Sequence, residues 1–177
     1  MNDKKYITRD QVDEITNSIP RLRDKAIFQT AYFGGLRLKE LVELRRGDLD
    51  FKKDFVEINV STGLSDRKII VVEPKETLEE YIEKYDISDD TECLWQSPDG
   101  SKMSTNVFMY EFREICDSVD LDFSSYDLRR SRQVDLIQEK SETAFNEYFG
   151  YAPSSSRYQL MKKVKKKLEE GAEGEVK

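Results

Sequence analysis

The chain has 177 residues, 37% of them hydrophobic and 37% charged, with a formal net charge of −7. Nine phenylalanines and nine tyrosines argue against disorder, and the length suits one domain with a real core. No histidine is present, which removes imidazole as base, metal ligand or neutral-pH switch, and the acidic balance by itself argues mildly against nucleic-acid binding.

The predicted elements begin at Thr8, which with Gln11 makes a capping-box pattern; Val12, Ile15 and Ile19 then line one helix face until Pro20. The run 22–33, "LRDKAIFQTAYF", reads as a second helix closed by Gly34 and Gly35. A third restarts over 37–44. "FVEINV" and "RKIIVV" are β-branched runs flanking "STGLSD", a hairpin signal with glycine in the loop. "KETLEEYIEKY" returns to helix, and "CLWQSPDGSKMS" predicts a short apolar strand followed by a Pro-Asp-Gly turn. "TNVFMYEFREICDSV" is amphipathic at helical spacing. Ser124 and Asp127 make a second capping box, so a helix is expected to start near Tyr126. "ETAFNEYFG" is a short helix stopped by Gly150, and a last helix is expected from about Ser154 to Glu170. The fold class is therefore α+β: a mainly α-helical domain with one small antiparallel sheet over residues 1–170, and a frayed tail over 171–177.

Cys93 and Cys116 have neither zinc spacing nor enough company for a disulfide framework, and read as reduced thiols of a cytoplasmic protein. No run approaches a membrane span, and the N-terminus lacks a signal-peptide apolar core.

Three basic or hydroxyl centres stand out against these helix starts. Arg37 follows Gly34-Gly35-Leu36 at the mouth of a helix, where free N–H groups favour an anion, and Glu40 three residues on can hold it. The alternative is a surface pair worth ~0.3–0.5 kcal/mol. Arg129 follows Tyr126 by three, one turn into the second capped helix, with Arg130 and Arg132 beside it. This is either a phosphate site or a solvated charged face. Tyr158, next to Arg157 and past a serine-rich turn, is either presented to solvent or an ordinary half-buried tyrosine.

In order along the chain, these motifs resemble the catalytic domain of the tyrosine recombinases, the phage-integrase group. "TAYFGGLRLKELVELRRGDLDF" is similar to the family's Gly-Leu-Arg box, "LWQSPDGSKMS" to its Leu-Phe-x-Ser-x-x-Gly stretch, "YDLRRS" to His-Asp-Leu-Arg-His, and "YFGYAPSSSRYQ" to the segment leading to the nucleophilic tyrosine. The resemblance runs from about Tyr6 to Tyr158. It implies the recombinase catalytic fold and cleavage and rejoining of double-stranded DNA through a 3′-phosphotyrosyl bond, with no metal and no cofactor. Tyr158 would be the nucleophile, Arg37 and Arg129 the clamp on the scissile phosphate, and Glu40 the support for Arg37.

Departures from the family pattern are equally specific. Tyr126 and Tyr151 stand where the family has histidine, or histidine or tryptophan. The family's hairpin lysine would fall near Ser61; Lys68 is the nearest substitute and Arg67 the next. Arg130 and Arg132 are expected on flanking phosphates or in solvent, and Arg157, Lys162 and Lys163 on DNA phosphates. Leu160, Val164 and Leu168 form a stripe for self-association on DNA, as dimer or tetramer, or for packing on the chain's own domain. Only seven residues precede the Thr8 cap, so the chain is expected to be either a recombinase without the N-terminal helical domain of family members or a fragment cut at that domain boundary. Arg37, Lys68, Arg129 and Tyr158 are expected to share one basic concave surface. The competing expectations are a catalytically silent DNA-binding relative and an acidic protein-interaction module without DNA affinity.

Overall fold

The structure is a computed structural model that describes residues 6–61, 66–97, 99–119 and 122–174. In chain order it consists of α1 (Arg9–Ser18), α2 (Leu22–Gly34), α3 (Leu38–Glu43), a 3₁₀ turn (Arg46–Asp48), β1 (Leu49–Phe51), β2 (Val56–Val60), β3 (Arg67–Val71), α4 (Lys75–Lys84), α5 (Thr105–Ser118), α6 (Ser125–Leu136), α7 (Glu142–Phe149) and α8 (Arg157–Gly174). Both capping boxes form. The Gln11 N–H donates to the Thr8 hydroxyl at 3.3 Å while Gln11 Oε1 takes the Thr8 N–H at 2.9 Å, and Ser124 and Asp127 do the same for α6.

The core is organised around α2. Its residues from Ala26 to Gly34 are all buried, and it packs against α6, α4, α3, α5, β3 and α1. A helix apolar on all sides has to sit in the interior, which explains why "AIFQTAYFG" lacks a polar face. Its one charged turn is neutralised: Arg23 reaches Asp24 at 2.9 Å and Glu111 of α5 at 2.7 Å.

The sheet is an antiparallel meander in the order β1-β2-β3. Val56, Ile58 and Val60 of β2 face the core, and across the ladder Val71, Ile69 and Arg67 share that face. The two strands of the expected hairpin are thus present; its turn, 62–65, lies outside the described residues. The stretch around Leu94 and Trp95, expected as a strand, makes only the isolated bridges Arg45↔Cys93 and Gln96↔Lys102. Trp95 is held instead by its side chain, whose Nε1 donates to the Leu41 carbonyl at 2.7 Å. Pro98 of the expected turn is outside the described residues. The last helix is longer than expected, continuing past Glu170 to Gly174, and 175–177 lie outside the described residues. Among the described residues, no helix is long and apolar enough to cross a membrane.

Candidate functional site

Two helices end in left-handed glycines, Gly35 after α2 (φ 55°) and Gly150 after α7 (φ 63°). A side chain at Gly35 would also meet the Phe149 ring, since a Cβ there would lie 2.5 Å from Phe149 Cε1. The two ends therefore abut, and their unpaired terminal carbonyls face the same place. Such ends carry partial negative charge and attract cations. Three guanidiniums meet them. Arg129, 2% exposed, donates through Nη1 to the Gly35 carbonyl and through Nη2 to the Phe149 carbonyl at 2.6 Å. Arg37 reaches the Gly150 carbonyl at 3.3 Å, and Arg67 Nε the Tyr148 carbonyl at 3.0 Å.

Glu40 ties the three arginines together. Its carboxylate accepts the Arg37 N–H at 2.7 Å, Arg37 Nη1 at 2.6 Å, and both Arg67 Nη atoms at 2.9 and 2.8 Å, with Arg129 Nη1 at 3.8 Å. Burial alone would raise its pKa. The Arg67 hydrogen bonds and the Arg37 backbone donor outweigh burial and hold it at about 2. One carboxylate among three guanidiniums leaves a positive excess, which suits a phosphate diester.

Tyr151 sits at the centre. The guanidinium carbons of Arg129, Arg37 and Arg157 lie 5.3, 5.9 and 6.0 Å from its ring centroid. Its hydroxyl oxygen accepts a 2.7 Å hydrogen bond from Gln133 Nε2. Burial would raise this phenol's pKa, but the cations of Arg129 and Arg157 and the Gln133 donor bring it below the ordinary tyrosine value. Arg129, although lowered by burial, remains charged at neutral pH.

Of the four side chains expected on one surface, the structure brings together Arg37 and Arg129. Lys68 is on the other face of β3, 69% exposed at the side chain and 3.5 Å from Glu57, because the two-residue period of a strand turns it away when Arg67, Ile69 and Val71 turn in. Arg67 takes the inward place. Tyr158 is half-buried rather than presented, with its ring edge-on to Phe145 at 5.4 Å and under Lys162. Its hydroxyl donates to the Lys140 carbonyl at 3.2 Å, beyond the end of α6, whereas Arg129 is one turn into that helix.

Other expected contacts are redistributed. Tyr126 is 55% exposed and accepts from Arg157 Nη2 at 3.2 Å. Arg130, expected on a flanking phosphate, is buried between Tyr6 and Tyr126, their centroids 5.2 and 5.5 Å away, and donates to the Tyr6 hydroxyl at 2.9 Å. Arg132 lies over Phe33 and Tyr32. Both are used by packing on different sides of α6: Arg130 against the Tyr6 and Tyr126 rings, Arg132 against Tyr32 and Phe33 of α2. Lys162 and Lys163 are exposed on α8, lining with Lys165 and Lys166 a groove of about 340 Å³. Along the α8 stripe Val164 packs against the chain's own core, while Leu160 and Leu168 stay 48% and 40% exposed.

Residues 5–159 match the phage integrase family over most of the chain. The chain belongs to the phage integrase family. Among curated relatives, the tyrosine recombinase XerA of Thermococcus onnurineus is 28% identical over 159 residues, covering 86% of this chain and 56% of that protein. XerA of Thermococcus kodakarensis is 27% identical over 161 residues, with the same two shares, 86% and 56%. The chain thus spans a little over half the length of these relatives. The crystal structure of XerA recombinase superposes with a TM-score of 0.78 at 20% identity, over 91% of this chain and 59% of that one. In this integrase-family fold, Arg67, the second choice for the place of the hairpin lysine, takes the inward position, and Gln133 is a residue of the candidate site that motif matching passes over. Strand alternation in "RKIIV" and the four-residue step from Arg129 to Gln133 were the available signals.

The reversal at β3 has a measurable consequence. Lys68→Ala is expected to change unfolding free energy by less than about 0.5 kcal/mol, as for an exposed pair. Arg67→Met should cost roughly 3 kcal/mol, since it removes a buried partner that gives Glu40 two hydrogen bonds and closes the Tyr148 carbonyl. Chemical denaturation of both variants checks this, and equal costs would place Lys68 on the inner face.

Proposed function

We propose that this chain is the catalytic domain of a site-specific DNA recombinase of the integrase type, acting on double-stranded DNA in the cytoplasm. The observation that carries this reading is the convergence of Arg37 and Arg129 on Tyr151, over a carboxylate that fixes their geometry. Guanidinium forks grip two oxygens at once, and donors aimed at a transition-state phosphate are worth ~3–4 kcal/mol each. Tyr158 attacks phosphorus, losing its proton as the P–O bond forms; the 5′-oxygen departs and is protonated to a 5′-hydroxyl. The 3′-phosphotyrosyl bond keeps the energy needed for rejoining. Attack requires the Tyr158 hydroxyl to leave the Lys140 carbonyl, a movement of the first turn of α8. Lys162 and Lys163 supply flanking phosphate contacts, and exposed Leu160 and Leu168 supply a surface for pairing with a second subunit on DNA.

The parked hydroxyl also favours a second reading, a relative that binds DNA without cutting it. A covalent trap separates the two. Protein and a Tyr158→Phe control are incubated with a library of nicked duplexes, denatured in detergent, and any DNA still attached is sequenced. An adduct lost in the control establishes the nucleophile and reveals the target. Recovery only before denaturation, equal in both, establishes binding alone. Absence of salt-dependent DNA binding would leave only a protein-interaction role.

A further inference from the structure

Gln133 is fully buried on α6 and makes two hydrogen bonds in opposite directions. Arg157 Nε donates to its Oε1 at 3.2 Å, and its Nε2 donates to the Tyr151 oxygen at 2.7 Å. The direction of this amide is fixed by chemistry. An arginine N–H can only donate, so the group facing Arg157 has to be the carbonyl, and the NH₂ necessarily faces Tyr151. The Tyr151 proton therefore cannot point at Gln133. Among the described residues, the charged groups around Tyr151 are Arg129 from α6, whose guanidinium also reaches the Tyr151 hydroxyl, Arg37 from the α3 cap and Arg157 from α8, and all are donors; α7 presents Phe145 and Phe149. Glu40 is the carboxylate beyond them, and its oxygens are taken by Arg37 and Arg67. A hydroxyl proton in such surroundings is complementary to an arriving oxyanion.

We propose that Gln133 is a positioning residue: anchored by Arg157, it occupies the Tyr151 oxygen as a donor and so turns the Tyr151 hydroxyl proton toward a phosphate oxygen of bound DNA. The inference rests on the recombinase reading and deepens it. It explains how a chain without histidine orients a neutral donor at this place. A phenol rotates freely about its C–O bond, and a fixed partner on the oxygen removes that freedom.

Gln133→Glu inverts the Tyr151 bond while keeping the acceptor for Arg157, because a carboxylate takes the phenol proton. Gln133→Met removes the donor without adding charge. In protein labelled with ¹³C at tyrosine Cζ, the Tyr151 signal is identified by its loss in Tyr151→Phe. The Glu variant should titrate at least one pH unit higher than wild type, and the Met variant should also move upward. Adduct formation should fall at least 10-fold in Gln133→Glu, and adding Tyr151→Phe should cost nothing further. An unmoved Tyr151 titration in both variants, or losses that multiply in the double variant, overturns the inference. If wild-type protein formed no adduct, the recombinase reading would fall, and the titration alone would decide whether Gln133 orients Tyr151.

Discussion

Glu40→Gln is expected to destabilise the protein by about 3–5 kcal/mol, the cost of breaking a buried ion pair from one side. For a domain of this size that lowers the melting temperature on the order of 10 °C. The amide keeps the shape of the side chain and one carbonyl acceptor, but it cannot receive both Arg67 nitrogens, the Arg37 guanidinium and the Arg37 backbone N–H together. The positive excess of the cluster rises at the same time. Because the Glu40 pKa is depressed to about 2 from the usual 4.5, its contribution is complete above pH 4.5 and lost as pH falls through 2. Wild type should therefore lose on the order of 3 kcal/mol across that window from this group, and the glutamine variant should lack that part of the slope. Urea unfolding at pH 7, 4.5 and 2 measures both. Adding Arg67→Met to Glu40→Gln should recover part of the loss, since the stranded guanidinium is removed with its partner. A glutamine variant as stable as wild type would mean that the arginines can be satisfied by solvent, and that the cluster is not held by Glu40.

Local rules carried much of the fold. Capping boxes at Thr8 and Ser124 placed α1 and α6 because the donors and acceptors involved are three residues apart in sequence. Gly35 and Gly150 likewise marked helix ends, since a left-handed residue is a local demand. The candidate site was legible as far as the cluster of Arg37, Glu40 and Arg129, whose helix positions follow from those caps. What stayed hidden depends on which distant backbone meets which side chain. The partners of Arg129 are carbonyls at residues 35 and 149, a meeting that no spacing encodes. Arg130 is one residue from Arg129 in sequence and about 100° away on the helix, so it meets Tyr6 instead of the site. Tyr158 follows a serine-rich turn that suggests exposure, yet Phe145 offers it an apolar edge and Lys140 a carbonyl. The Lys68 expectation was within reach of correction, because alternation along "RKIIV" already puts Arg67 with the buried Ile69 and Val71.

Arg37→Ala and Arg129→Ala should both reduce covalent adduct formation by roughly 10²–10³-fold, the cost of removing one preorganised donor to the phosphate. Their effects on stability should differ sharply. The Arg37 side chain is 42% exposed, and Glu40 retains Arg67 when it is removed, so the stability cost should stay within about 1 kcal/mol. Arg129 is buried and closes the carbonyl ends of both α2 and α7; its loss strands the Gly35 and Phe149 carbonyls at about 1–3 kcal/mol each. Lysine at 129 would keep the charge but not the fork, and one ammonium cannot span two helix ends and a phosphate oxygen together, so it should rescue stability in part and cleavage little. Adduct yield is measured well below the melting temperature of each variant, so that only folded protein is compared. DNA affinity of both variants should fall far less than cleavage, because one phosphate contact among many is lost. If Arg37→Ala cleaved at the wild-type rate, the phosphate would lie away from Tyr151, and the cluster of Arg37, Arg67 and Arg129 around Glu40 would be a structural core of the domain and not its reaction centre.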